Sequence, residues 1–113
     1  MNPNKFDIAY VGAGPSTIFS LLELCSSGYK GKILVLEKGK YLPERTDICF
    51  GFGGAGTFSD GKLSCHPEVG GSLSSILNDK EFCQYSETIL SYLNYFSPTQ
   101  LNWTKSKPFK SDE

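Results

Sequence analysis

Gly12, Ala13, Gly14, Pro15, Ser16 and Thr17, with Glu37 and Lys38 further on, have the types and spacing to hold an anion beside a sugar. Gly12 permits a sharp turn off an apolar run, Ile8 to Val11, and Gly14 removes a Cβ where a phosphate must approach the backbone. Pro15 suits the first position of a helix, where a missing N–H costs nothing. The amides after it have no partner within the helix and carry the positive end of its dipole, so they address an anion. Glu37 ends a second apolar run, Ile33 to Leu36, at about the 20-residue distance expected of an acid that accepts from ribose hydroxyls. A carboxylate there repels a 2′-phosphate, which argues against NADP. The chemistry is that of dinucleotide binding. Position three of the G-x-G-x-x-G pattern is Thr17, whose β-branch must push the helix outward or tuck its methyl against the sheet.

A second glycine-rich stretch, GFGGAGTFSDGKL, occupies residues 51–63. Gly51, Gly53 and Gly56 also fit G-x-G-x-x-G, but Thr57-Phe58-Ser59-Asp60-Gly61 carries a turn signal where a helix would have to begin. No strand with a terminal acid follows it. An extended loop is the better reading, with backbone amides and the hydroxyls of Thr57 and Ser59 turned to phosphate or ribityl oxygens. A surface loop that merely needs positive φ fits the composition equally well.

Other chemistry-bearing residues are sparse. Asp60, Lys62 and His66 lie near the second glycine stretch, and a single His66 before Pro67 reads as a loop residue although its ordinary pKa suits acid–base work. Cys25, Cys49, Cys65 and Cys83 contain no C-x-x-C pair and read as free thiols; Cys49, Cys65 and His66 match no zinc spacing.

The elements that must position these groups follow from periodicity. Residues 6–11 read as a buried central strand and Ile33 to Leu36 as a second one, parallel to it through a right-handed crossover. Between them Ile18, Leu21, Leu22 and Cys25 fall on one helical face, and Ser26-Ser27-Gly28 stops the helix. Residues 38–50 read as a polar loop. A short amphipathic helix capped by Ser72 follows, and then a longer one from Asp79 to Phe96. The longer helix carries Phe82, Tyr85, Ile89, Tyr92, Leu93 and Phe96 on a broad face suited to a core or a partner surface. The expected organisation is residues 1–64 as a nucleotide-binding βαβ with its glycine loop, 65–96 as a helical segment and 97–113 as a flexible tail. With 113 residues, a net charge of −1 and a pI near 5.8, nothing in the composition calls for nucleic acid or an anionic membrane. No apolar run approaches the roughly 20 residues of a membrane span, and the N-terminus lacks a secretory pattern, so the expected address is cytoplasmic.

VGAGPST followed by VLEKG, together with GFGGAGTFSDGKL, resembles the amino-terminal part of FAD-dependent oxidoreductases. The likeness is strongest to the group described as uncharacterised FAD-dependent dehydrogenases, and it covers roughly residues 6–78. The resemblance implies a Rossmann-like FAD/NAD(P)-binding α/β fold with FAD as the cofactor. Gly12 to Thr17, Glu37 and Lys38 would hold the pyrophosphate and ribose, and Gly54, Thr57, Ser59 and Gly61 would lie along the phosphates and ribityl chain. Enzymes of that group are several times longer. The expectation is therefore an incomplete parallel sheet, a truncated chain inactive by itself, and a missing C-terminal region or a partner chain to complete it. Its small-molecule substrate and catalytic residues are not legible. A non-catalytic nucleotide-binding or interaction module and an NAD-dependent enzyme fragment are the alternatives.

Overall fold

The computed structural model describes residues 2–61, 63–64 and 66–99. The chain is α/β, in the order β1 (Ile8–Val11), α1 (Pro15–Ser26), β2 (Ile33–Leu36), two short 3₁₀ turns (Ala55–Phe58 and Leu73–Ser75) and α2 (Asp79–Phe96). It divides into two units, Met1–Asp60 and Gly61–Glu113.

In the first unit β1 and β2 pair in parallel, with Ile8 opposite Ile33 and Val11 opposite Leu36. Parallel neighbours need a crossover, and α1 supplies it. Hydrogen bonds pin the register at both ends. Gly12 N donates to Leu36 O at 2.6 Å. At the other end Asp7 N donates to Lys32 O at 2.8 Å, and the Asp7 carboxylate accepts from Lys32 N at 2.7 Å. The Lys32 ammonium donates to Pro3 O at 2.7 Å and lies 5.1 Å from the centre of the Phe6 ring.

Helix α1 ends one residue beyond Cys25, and its stop is a Schellman motif. Tyr29 N donates to Leu24 O, Gly28 N donates to Cys25 O, and Gly28 takes the left-handed φ of 76° that the motif requires. A hydrogen bond between Tyr10 Oη and Ser20 Oγ ties the helix to β1.

Little of the first unit is buried. Ala13 is the buried hydrophobic residue, beside buried Thr17 and Arg45. The expected helix face is half-realised: Ile18, Leu21 and Leu22 are half-buried, whereas Cys25 is exposed and Leu24 takes its place. β1 differs from the buried central strand of the sequence reading. Its side chains alternate between half-buried and exposed, and Val11 is 88% exposed. Among the described residues a single strand pairs with it, so the sheet covers too little area to enclose both faces.

In the second unit α2 has the expected bounds. Asn78 starts it with a capping box: Asn78 Oδ1 accepts from Glu81 N at 2.9 Å, and Glu81 Oε2 accepts from Asn78 N at 3.0 Å. Phe82, Ile89, Tyr92 and Leu93 are half-buried, whereas Tyr85 and Phe96 of the same expected face are exposed. The short helix expected after Ser72 is a 3₁₀ turn without a side-chain cap. Asn78 begins α2 too soon for it to lengthen, and Ser75 Oγ donates to Ser72 O instead. No described helix is long and apolar enough to cross a membrane. Of the expected tail, residues 100–113 lie outside the described residues, as do Lys62 and Cys65.

Asn78→Ala removes one half of the capping box and should cost about 1 kcal/mol. Circular dichroism of the thermal transition checks this. A destabilisation matched by Asn78→Asp, which keeps the acceptor, would contradict the capping role.

Candidate functional site

β1 runs into Gly12, which adopts φ 97°, and the chain turns there into α1. Gly14 is the N-cap, with ordinary φ, no side-chain cap and no acid in the first helical turn. A Cβ added at Gly14 would meet nothing within 4 Å, so the turn is open where a phosphate would approach. The first helical bond, Ile18 N to Gly14 O at 3.1 Å, leaves the amides of the opening turn outside the ladder. Thr17 resolves the missing third glycine by neither expected route alone. It is buried, and its hydroxyl donates to Gly12 O at 2.8 Å, bracing the turn from beneath rather than presenting itself to a ligand.

Glu37, expected at a ribose, binds the protein's own backbone. Its Oε2 accepts from Ala13 N at 2.7 Å, and its Oε1 accepts from Gly39 N at 2.8 Å and Gly51 N at 3.1 Å. The carboxylate thereby joins the first glycine turn, the exit of β2 and the second glycine stretch. The amide of Gly39 first, then that of Ala13, with Gly51 and Lys38 contributing less, hold the Glu37 carboxyl below the usual carboxylate range against an opposing push from desolvation. A carboxylate has about four acceptor sites, so a ribose would share Glu37 with these amides.

The second glycine stretch lies on the first. Gly53 N donates to Ala13 O at 2.8 Å, and Phe52 N donates to Lys40 O at 3.2 Å. Side chains are excluded from the junction. A Cβ at Gly39 would overlap the backbone of Gly51, and one at Gly54 would stand 3.1 Å from Pro15 Cδ and 3.3 Å from Gly14 Cα. Beside Glu37 opens an apolar cleft of about 290 Å³ between Thr17, Ile18 and Leu21 of α1 and Val35, Tyr41 and Phe52. The Tyr41 and Phe52 rings pack at 5.0 Å between centroids. A flat heteroaromatic ring suits such walls.

The organiser of the 45–58 segment is Arg45, whose sequence surroundings have the pattern of a polar loop. Its guanidinium donates from Nε to Asp47 O, from Nη1 to Phe52 O and Thr57 Oγ1, and from Nη2 to Ile48 O. No local pattern around Arg45 announces this, because its partners are mostly carbonyls that any sequence supplies. Thr57 differs from expectation accordingly. Its hydroxyl accepts from Arg45 and donates to Gly54 O at 3.0 Å, so it is engaged within the loop. Ser59 ends the 3₁₀ turn, its amide donating to Gly56 O, and Gly61, with φ 77°, belongs to the second unit. The Lys38 ammonium lies 4.7 Å from the centre of the Phe50 ring.

In the second unit His66 Nδ1 accepts from Glu68 N at 3.2 Å within its own turn. Cys25, Cys49 and Cys83 are free and exposed, and among the described residues no group of three or more His, Cys, Asp or Glu could hold a metal.

With the geometry in place, the relatives of the chain can be set beside it. No protein-family model matches the sequence. An uncharacterised protein of Clostridium beijerinckii is 40% identical over 70 residues, an overlap of 48% of this chain. The chain spans 13% of the length of that relative. No solved structure matches.

Because the folded pKa of Glu37 is depressed, its stabilising bonds are fully present above the ordinary carboxylate pKa and are lost as pH falls through the lowered folded value. Glu37→Gln should therefore lower stability at neutral pH and flatten this acid limb of the first unit, read as melting midpoint against pH. An acid limb unchanged in Glu37→Gln would refute the clamp.

Proposed function

We propose that this chain binds FAD, as the amino-terminal cofactor-binding portion of a flavin-dependent oxidoreductase of the dehydrogenase type. The observation that carries the proposal is the contact between the two glycine stretches, Gly53 N on Ala13 O with Gly54 against Gly14 and Pro15. A single glycine turn is common to many dinucleotide proteins, whereas a second glycine stretch laid along it supplies extra backbone beside a long pyrophosphate-linked ligand. The turn's open side at Gly14 and the uncapped start of α1 fit a pyrophosphate. Gly12, Ala13, Gly14 and Ser16 would form its cradle, with Pro15 shaping the helix start and Thr17 bracing the turn from beneath. The cleft of Tyr41, Phe52 and Val35 would take the adenine, and Glu37 would hold the cradle while offering its remaining acceptor capacity to the ribose.

When bound, the flavin supplies the two-electron chemistry; these residues bind and orient it. The cytoplasmic address belongs to the same proposal, as does the dependence of turnover on polypeptide beyond these elements, whether continuous or from a partner chain. An NAD-binding role would use the same turn but gives the second glycine stretch no task.

FAD titrated into the purified chain should bind with quenching of its fluorescence, and ADP should compete. Gly14→Ala puts on the open approach a Cβ that meets no protein atom within 4 Å, so it should weaken FAD binding by about tenfold while changing stability by no more than about 1 kcal/mol. Absence of FAD binding by the folded wild-type chain would overturn the reading.

A further inference from the structure

Arg45 is 5% exposed, and each of its four hydrogen bonds among the described residues goes to a neutral acceptor: Asp47 O at 2.9 Å, Phe52 O at 2.7 Å, Thr57 Oγ1 at 2.8 Å and Ile48 O at 2.8 Å. Its cation also stacks on Phe58, 4.9 Å from the ring centre. Carbonyl and ring dipoles solvate a guanidinium but do not cancel its charge, and a buried charge ordinarily finds a counter-ion. A guanidinium has five N–H donors, so one Nη2 N–H lies beyond these four bonds.

Arg45 is also among the residues lining a recess of about 190 Å³, with Lys38, Lys40, Thr46, Asp47 and Phe50. Both lysines are exposed, so their ammoniums can swing over the opening. Three basic residues and one acidic residue, Asp47, line it, so the lining carries a net positive charge, and the Lys38 ammonium stands over the Phe50 ring at 4.7 Å. The recess follows Glu37 directly along the chain, yet Glu37 is turned to the amides of Ala13, Gly39 and Gly51.

We propose that this recess is a phosphate-binding site, with Arg45 beneath it and Lys38 and Lys40 at its rim. Arg45 would contribute a fixed buried charge and its remaining N–H, and the lysines charge-assisted hydrogen bonds to the outer oxygens. The chemistry suits inorganic phosphate and a phosphomonoester on a nucleotide ribose alike. It does not rest on the FAD reading, because the pyrophosphate cradle lies at the start of α1, and of the residues expected to hold FAD only Lys38 also lines the recess.

Isothermal titration of inorganic phosphate into the full chain, at constant ionic strength with chloride as control, tests the site. Saturable one-to-one binding is expected, weakened about tenfold in Lys38→Gln/Lys40→Gln at an unchanged melting transition. No saturable heat beyond chloride would overturn the proposal, and so would full wild-type affinity in the double variant. In a second arm, 2′-phospho-ADP-ribose binding tighter than both ADP-ribose and phosphate assigns the site to a nucleotide. Binding no tighter than phosphate assigns it to the free anion. Phosphate binding without FAD binding would overturn the cofactor reading alone.

Discussion

The first unit depends on one carboxylate. Glu37 accepts hydrogen bonds from its neighbour Gly39 and from Ala13 and Gly51, which lie 24 residues before and 14 residues after it, and these segments have almost no apolar core to hold them together. Hydrogen bonds to an ionised acceptor are stronger than neutral ones, and the three amides together engage both oxygens. Without that anchor the second glycine stretch would be left to one backbone bond from Gly53 and another from Phe52. Glycine is what makes the anchor reachable. Side chains at 39 or 54 would force apart the backbones that Glu37 draws together.

Arg45 performs the complementary task with opposite charge. Glu37 gathers amides, whereas Arg45 gathers the carbonyls of Asp47, Ile48 and Phe52 and the hydroxyl of Thr57. Between them a segment with no helix or strand from Glu37 to Gly54 acquires a defined course. The positions of the two charges also divide the surface chemically. Under the two proposals, the glycine turn and uncapped helix start would take one anion and the recess of Lys38, Lys40 and Arg45 another.

Both strands, the bounds of α2 and the glycine stop of α1 were legible in the sequence because each rests on local pattern: apolar runs, helical periodicity and a Gly at C′. Burial was less so. The run Ile8 to Val11 has the composition of a central strand, but exposure is decided by how many strands flank it, and Val11 stands open. At the site, Gly12 and Gly14 sit where the spacing puts them. Glu37 was found by its distance from the turn, but its partners were not, since a carboxylate at a strand tip can accept from ribose or from amides. Thr57 was read as open to a ligand because nothing in its neighbourhood signals an arginine twelve residues earlier. Arg45 itself was invisible, since burial of a single cation among carbonyls leaves no periodic trace. The Clostridium beijerinckii relative shares sequence with under half of the chain, which leaves these contacts as the main ground for a functional reading.

Amide hydrogen exchange followed by NMR tests most directly whether the two glycine stretches form one structure. Ala13 N, Gly39 N and Gly51 N, bonded to Glu37, and Gly53 N, bonded to Ala13 O, should be protected to a similar degree and should lose protection together on acidification. Protection at Ala13 with Gly51 and Gly53 exchanging as a free loop would contradict the account, because the second stretch would then not rest on the turn.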